Sequence, residues 1–259
     1  MPFSMITLLG VTVFLLLMLF ASELGRRLGA AQIVRDPEGL PKGIGAVEAA
    51  VFGLLGLLLA FSFSGAASRF EDRRHLITSE ANAIGTAYLR LDLLSSDAQP
   101  EMKELFRQYV DTRLETYRNV ADTDATLASL ADDAELQSEI WTRAVAETTR
   151  PGTPTQPAML LLPALNEMID ITTTRVMATR NHPPPIVFMM LAALAVVGAL
   201  LIGYGTAVNK RRSWLHTQVF AVILAMTTYV IVDLEFPRLG LIRADSADQL
   251  LMDLRASMR

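Results

Sequence analysis

The stretch LLLAFSFSGAASRFEDRRHLI, residues 57–77, decides the fold. Its first half is as apolar as the interior of a bilayer, and its second half is charged. No proline separates the halves, and Gly65 is the one weak helix former at the junction. A single helix therefore leaves the membrane here and continues into water. Beyond it, Phe70, Ile77, Ala81, Ile84, Tyr88 and Leu91 recur at helical spacing, one apolar stripe on a 3.6-residue period. The expected helix runs from about Gly45 to Leu94, about 75 Å at 1.5 Å per residue.

Three further stretches have the roughly 20 apolar residues that cross a hydrocarbon core. They run from about Phe3 to Phe20, Ile186 to Tyr204 and Leu215 to Val232, beside the span from about Ile44 to Phe63. The first lacks a basic leader and is longer than a signal core, so it reads as a retained span. The spans pair as two hairpins, joined by residues 21–43 and 205–214. The expected organisation is a transmembrane hairpin (1–64), an extramembrane helical bundle (65–182), and a second hairpin with a short tail (183–259). The fold class is all-α: four transmembrane helices with an inserted helical domain.

The insert carries twelve Lys/Arg and eighteen Asp/Glu. After SSDAQPE, Pro100 suits the first turn of a new helix, whose stripe is Phe106, Val110, Leu114 and Tyr117. Leu136, Ile140 and Ala144 mark a shorter helix. Leu161, Leu165, Met168, Thr172 and Val176 mark a last one, which NHPPP ends.

The chain of 259 residues is 51% apolar, carries a net charge of −4 and has no cysteine. Its mean hydropathy is +0.34. Disulfides and thiolate metal sites are excluded, and nothing suggests nucleic acid as a partner. His75, His182 and His216 form no i, i+4 pair. Neither a nucleophile elbow nor a phosphate loop occurs, so no enzyme, cofactor or metal is expected.

Residues 56–94, GLLLAFSFSGAASRFEDRRHLITSEANAIGTAYLRLDLL, resemble the core signature of a bestrophin-like domain-of-unknown-function family of bacterial integral membrane proteins. Residues 232–255, VDLEFPRLGLIRADSADQLLMDLR, resemble its second signature. Bestrophins are pentameric anion channels with four spans, a helical domain between the second and third, and a pore lined by the second. The resemblance implies a homo-oligomer, a pentamer, in a bacterial inner membrane, passing chloride or another small anion. The calcium-binding acidic cluster of animal bestrophins is absent.

Ala49, Gly53, Gly56, Ala60, Ser64 and Ala67 draw a stripe of small residues along the second span. Such a stripe packs helices closely or leaves room for ions along a pore. Phe52, Phe61 and Phe63 interleave with it. By resemblance to a bestrophin neck they are hydrophobic gates; alternatively they face lipid or core. Arg69, Arg73 and Arg74 follow the span. In a ring of subunits they form a cationic collar that favours anions, or Glu71 and Asp72 neutralise them and the remainder meets lipid phosphates. Glu48 lies at the membrane interface, paired with Lys42 or at a pore entrance. Asp233 and Glu235, near Arg238 and Arg243, read as interface anchors docking on the Arg69–Arg74 segment.

Arg26, Arg27, Arg35 and Lys42 in one hairpin loop and Lys210, Arg211 and Arg212 in the other place both loops in the cytoplasm and the helical domain in the periplasm. The family resemblance implies the cytoplasm for that domain. Two functions fit: an oligomeric anion channel, or a non-conducting, membrane-anchored helical sensor or scaffold.

Overall fold

The computed structural model describes residues 3–36, 44–118, 123–208, 214–236, 240–242 and 245–258. Among them there is no strand. The helices are α1 (Phe3–Arg35), α2 (Ile44–Arg90), α3 (Gln99–Arg118), α4 (Thr123–Thr148), α5 (Thr155–Arg180), α6 (Pro185–Thr206), α7 (Trp214–Glu235) and α8 (Asp245–Ser257). A 3₁₀ turn at Leu91–Leu93 follows α2. Four helical stretches are long and apolar enough to cross a membrane.

Helix α2 passes through Gly65 without interruption and spans 47 residues. Where it ends, Gln99 closes the turn by donating from Nε2 to the carbonyl oxygens of Leu94 at 2.9 Å and Asp92 at 3.3 Å. These carbonyls would otherwise lack the partners that a continuing helix supplies. Pro100 sits in the first turn of α3, where its missing N–H costs nothing. Helix α4 is longer than its apolar stripe predicts, since it begins at Thr123. Its first half, TDATLASLADDA, is rich in alanine and leucine, strong helix formers that need no apolar face to propagate a helix.

The chain divides into two compact units: residues 1–69 with 182–241, and residues 70–181 with 242–259. The first holds α1, α6, α7 and the opening part of α2. Its core is built from Met18, Ala21, Leu55, Leu191, Ala195, Ala199, Ala221, Leu224 and Ala225. Five of these nine are alanines, and the helices lie close. Helices α1 and α6 meet backbone to backbone. A Cβ at Gly25 would strike the Leu200 carbonyl, and one at Gly203 would strike the Ser22 carbonyl. At Gly29 a Cβ would lie 2.6 Å from the Tyr204 oxygen. This contact explains why α1 runs on to Arg35 rather than ending near Phe20: residues 21–29 are one side of a glycine-lined crossing.

The second unit packs Ile84, Ala87, Leu91, Phe106, Val110, Ile140, Leu161, Leu165 and Met168 around a common core. Helix α8 belongs to this unit rather than to the second hairpin with which the sequence groups it. Leu251 is fully buried there, and Arg255 makes a two-point ion pair with Asp111 at 2.8 and 2.9 Å.

Candidate functional site

The small-residue stripe of α2 is exposed from Ala49 to Ser64, and Ala67 at its end is half-buried. Ala49, Gly53, Gly56, Ala60 and Ser64 all face outward from the chain. A Cβ added at Gly53 or Gly56 would meet nothing within 4 Å. The opposite face is packed: Leu55 is 2% exposed and Ala66 is fully buried. Only 6% of the most apolar window of this span is buried, against 28% for the third span. Within one chain, then, the stripe is not a packing surface.

The three phenylalanines part company. Phe52 turns inward, edge-on to Phe220 at 5.6 Å and against Gly198. Phe61 and Phe63 are exposed. At about 100° per residue, Phe63 falls beside the stripe, and Phe61 about a quarter-turn or more away from it. Phe61 instead borders an apolar pocket of about 240 Å³, together with Leu58, Val187 and Ile231.

The arginines also divide by helix face. Arg69 and Arg73 lie opposite the stripe, whereas Glu71 and Arg74 continue its direction. Arg69 donates from Nε to Glu235 at 3.0 and 3.2 Å, and its Nη2 also bonds that carboxylate. Glu235 is 1% exposed, and its partner makes that burial tolerable. His182 completes the group: its Nδ1 is 3.4 Å from Glu235, and its ring stacks on Phe236 at 4.6 Å. In the other unit, Arg73 is 8% exposed and donates to the carbonyls of Ala178 at 3.1 Å and Asn181 at 3.0 Å. It thereby satisfies the C-terminal end of α5, where a cation also suits the helix dipole. Arg74 is exposed and pairs with Glu71 at 3.0 Å.

Asp233, 1% exposed, accepts the backbone N–H of Leu241 on both oxygens at 3.0 Å. Arg238, Arg243 and Lys42 lie outside the described residues. Glu48 is half-buried against α6, and its Oε1 has no hydrogen-bond partner among the described residues. A Cβ at Gly205 would sit 2.6 Å from that oxygen, so the glycine makes room for the carboxylate.

The helical domain contains a charged cluster that sequence reasoning missed. Arg113, 1% exposed, donates to Glu80 and to Asp133, both at 2.7 Å, and to the Tyr117 hydroxyl. Arg175 pairs with the other oxygen of Glu80. The Tyr117 ring lies 4.9 Å from the Arg113 guanidinium and 4.0 Å from that of Arg175. One signal was available: Glu80 falls between Ile77 and Ala81 on the apolar stripe of α2, where a lone charge needs a partner.

These spans and this helical insert define a multi-pass helical membrane protein. The family model of the bestrophin-like domain matches residues 12–248, and the chain belongs to that family. A crystal structure of a bacterial bestrophin homologue from Klebsiella pneumoniae, carrying a single substitution, aligns at TM-score 0.68 with 14% identity, over 97% of this chain and 98% of that one. A second variant of the Klebsiella homologue aligns at TM-score 0.64 with 14% identity, over 96% and 98%. At such identity these likenesses show the fold. No curated protein matches the sequence.

Proposed function

We propose that this chain is the subunit of a homo-oligomeric, anion-selective ion channel in a bacterial inner membrane, with its pore lined by the second span. The observation that carries the proposal is the unpacked stripe Ala49, Gly53, Gly56, Ala60 and Ser64. Lipid tails fill against large apolar side chains, so a glycine-rich face is better matched by another helix or by a hydrated axis. Phe63, beside the stripe, is the phenylalanine placed to narrow such an axis. Arg74 is the arginine on the same face, and Glu71 tempers its charge. The bestrophin resemblance supports five subunits around that axis and chloride or another small anion as the permeant species.

The test is Gly56→Leu in liposomes loaded for anion flux. The chain has space for the side chain, so the subunit should fold and assemble while flux falls strongly. Arg74→Glu should shift the permeability ratio toward cations. Wild-type protein that stays monomeric in detergent and passes no ions would overturn the proposal in favour of an anchored, non-conducting bundle.

Sidedness has its own test. One span, α6, separates the helical domain from the α6–α7 connection. Single cysteines at Ser138 and at Val208, both exposed, should react with an impermeant maleimide from opposite sides. The side that labels Ser138 chooses between the periplasm, favoured by the loop charges, and the cytoplasm, favoured by the resemblance. Labelling of both from one side would break the four-span topology.

A further inference from the structure

A partly open pocket of about 200 Å³ lies between α4 and α5. Its polar lining is Asp133, Gln137, Thr172 and Thr173; its apolar lining is Leu130, Ala134 and Val176. Asp133 is 1% exposed, and its Oδ1 has no hydrogen-bond partner among the described residues. Its Oδ2 is engaged, accepting from Arg113 at 2.7 Å and Thr116 at 3.2 Å. A buried carboxylate oxygen without a donor is costly, and native proteins seldom leave one so.

One neighbour presents the same polarity. The Gln137 amide nitrogen donates to the Tyr109 hydroxyl and to the Thr172 hydroxyl, both at 3.0 Å, which leaves its carbonyl oxygen to accept. Thr172 is fully engaged: it donates to the Met168 carbonyl at 3.2 Å and accepts from Gln137 and from the Tyr109 hydroxyl at 3.2 Å, which holds the Gln137 amide in this orientation. Burial pushes the Asp133 carboxyl up, and the Arg113 guanidinium pulls it back only in part. A second donor would act in the same sense as Arg113. Asp132, exposed beside the pocket, adds negative charge.

We propose that this pocket binds a small primary ammonium, its N–H groups directed to Asp133 and Gln137 and its short alkyl body laid on Leu130, Ala134 and Val176. A metal ion suits the site less well. Among the described residues only one carboxylate lines it, and three of the seven lining residues are apolar.

The experiment is calorimetric titration of the full chain in detergent with propylammonium chloride. Propanol and tetramethylammonium serve as controls, because the first lacks the charge and the second lacks N–H donors. Saturable binding of propylammonium alone is expected. Ala134→Phe introduces bulk at an exposed position of the lining and should abolish binding without changing thermal unfolding of the free protein. Asp133→Asn should weaken binding roughly tenfold or more, the loss of one charge-assisted hydrogen bond. If that variant fails to fold, Ala134→Phe still decides. The proposal is overturned if wild type shows no saturable binding, if either control binds equally well, or if binding survives Ala134→Phe.

Discussion

Arg113→Met is expected to destabilise the helical domain by about 3–5 kcal/mol, the usual cost of leaving a buried charge without its partner. Arg113 serves two buried carboxylates at once. Without it Glu80 keeps Arg175 and Tyr117, whereas Asp133 keeps, among the described residues, only the Thr116 hydroxyl at 3.2 Å. The effect should depend on pH with a definite sign. Burial holds the folded Asp133 carboxyl above its ordinary value, so the folded state binds that proton more tightly than the unfolded chain does. Ionising Asp133 therefore costs stability. The cost is full above the folded pKa and is absent below the ordinary carboxylate range. Removing Arg113 enlarges it, so Arg113→Met should be most destabilised at neutral pH and should recover on acidification. Adding Asp133→Asn should restore part of the loss at neutral pH. Urea titration followed by Trp141 fluorescence, in a Trp214→Phe background, reads the domain directly, because Trp141 packs against its core. A variant with the wild-type midpoint at every pH would show that the cluster does not contribute in this way.

Gly203→Val should be the most damaging single change in the membrane unit. The new side chain would enter the Ser22 backbone, which cannot rotate away as a flexible side chain could. Overpacking a soluble core costs about 1–3 kcal/mol, and the cost here should exceed that range because two whole helices must separate. Little folded, monodisperse protein is expected on size-exclusion chromatography. Gly53→Ala is the control: it meets open space, and alanine is the better helix former, so yield should hold or rise. Equal yields of the two variants would remove the argument for a backbone contact between α1 and α6.

What the sequence made legible follows from what is periodic in it. The spans, the uninterrupted α2 and the breaks at Pro100 and the NHPPP run are local signals, and these elements appear where their own residues place them, although α1 and α4 run on beyond their apolar stretches. The charged cluster was hidden because Glu80, Arg113, Asp133 and Arg175 come from four helices, and no spacing along the chain relates them. The Gly25–Gly29 spacing could have been recognised as a close-packing motif. It lay beyond the apolar run, in residues that read as a connecting loop. The arginines after the second span illustrate a subtler point. Their proximity in sequence suggested one collar, yet a rotation of about 100° per residue already sets Arg69 and Arg73 apart from Arg74.

The clasp after the last span has a consequence for how freely this segment can drift over evolutionary time. Asp233 grips the main chain at residue 241 through its N–H, and the Leu241 side chain points away, 78% exposed. Any residue with an amide proton could stand at 241, and only proline is barred. Residue 240 has no such latitude, since any β-carbon there would collide with the carboxylate itself. Two adjacent positions in one turn thus face opposite selection, one nearly indifferent to its side chain and the other intolerant of having one.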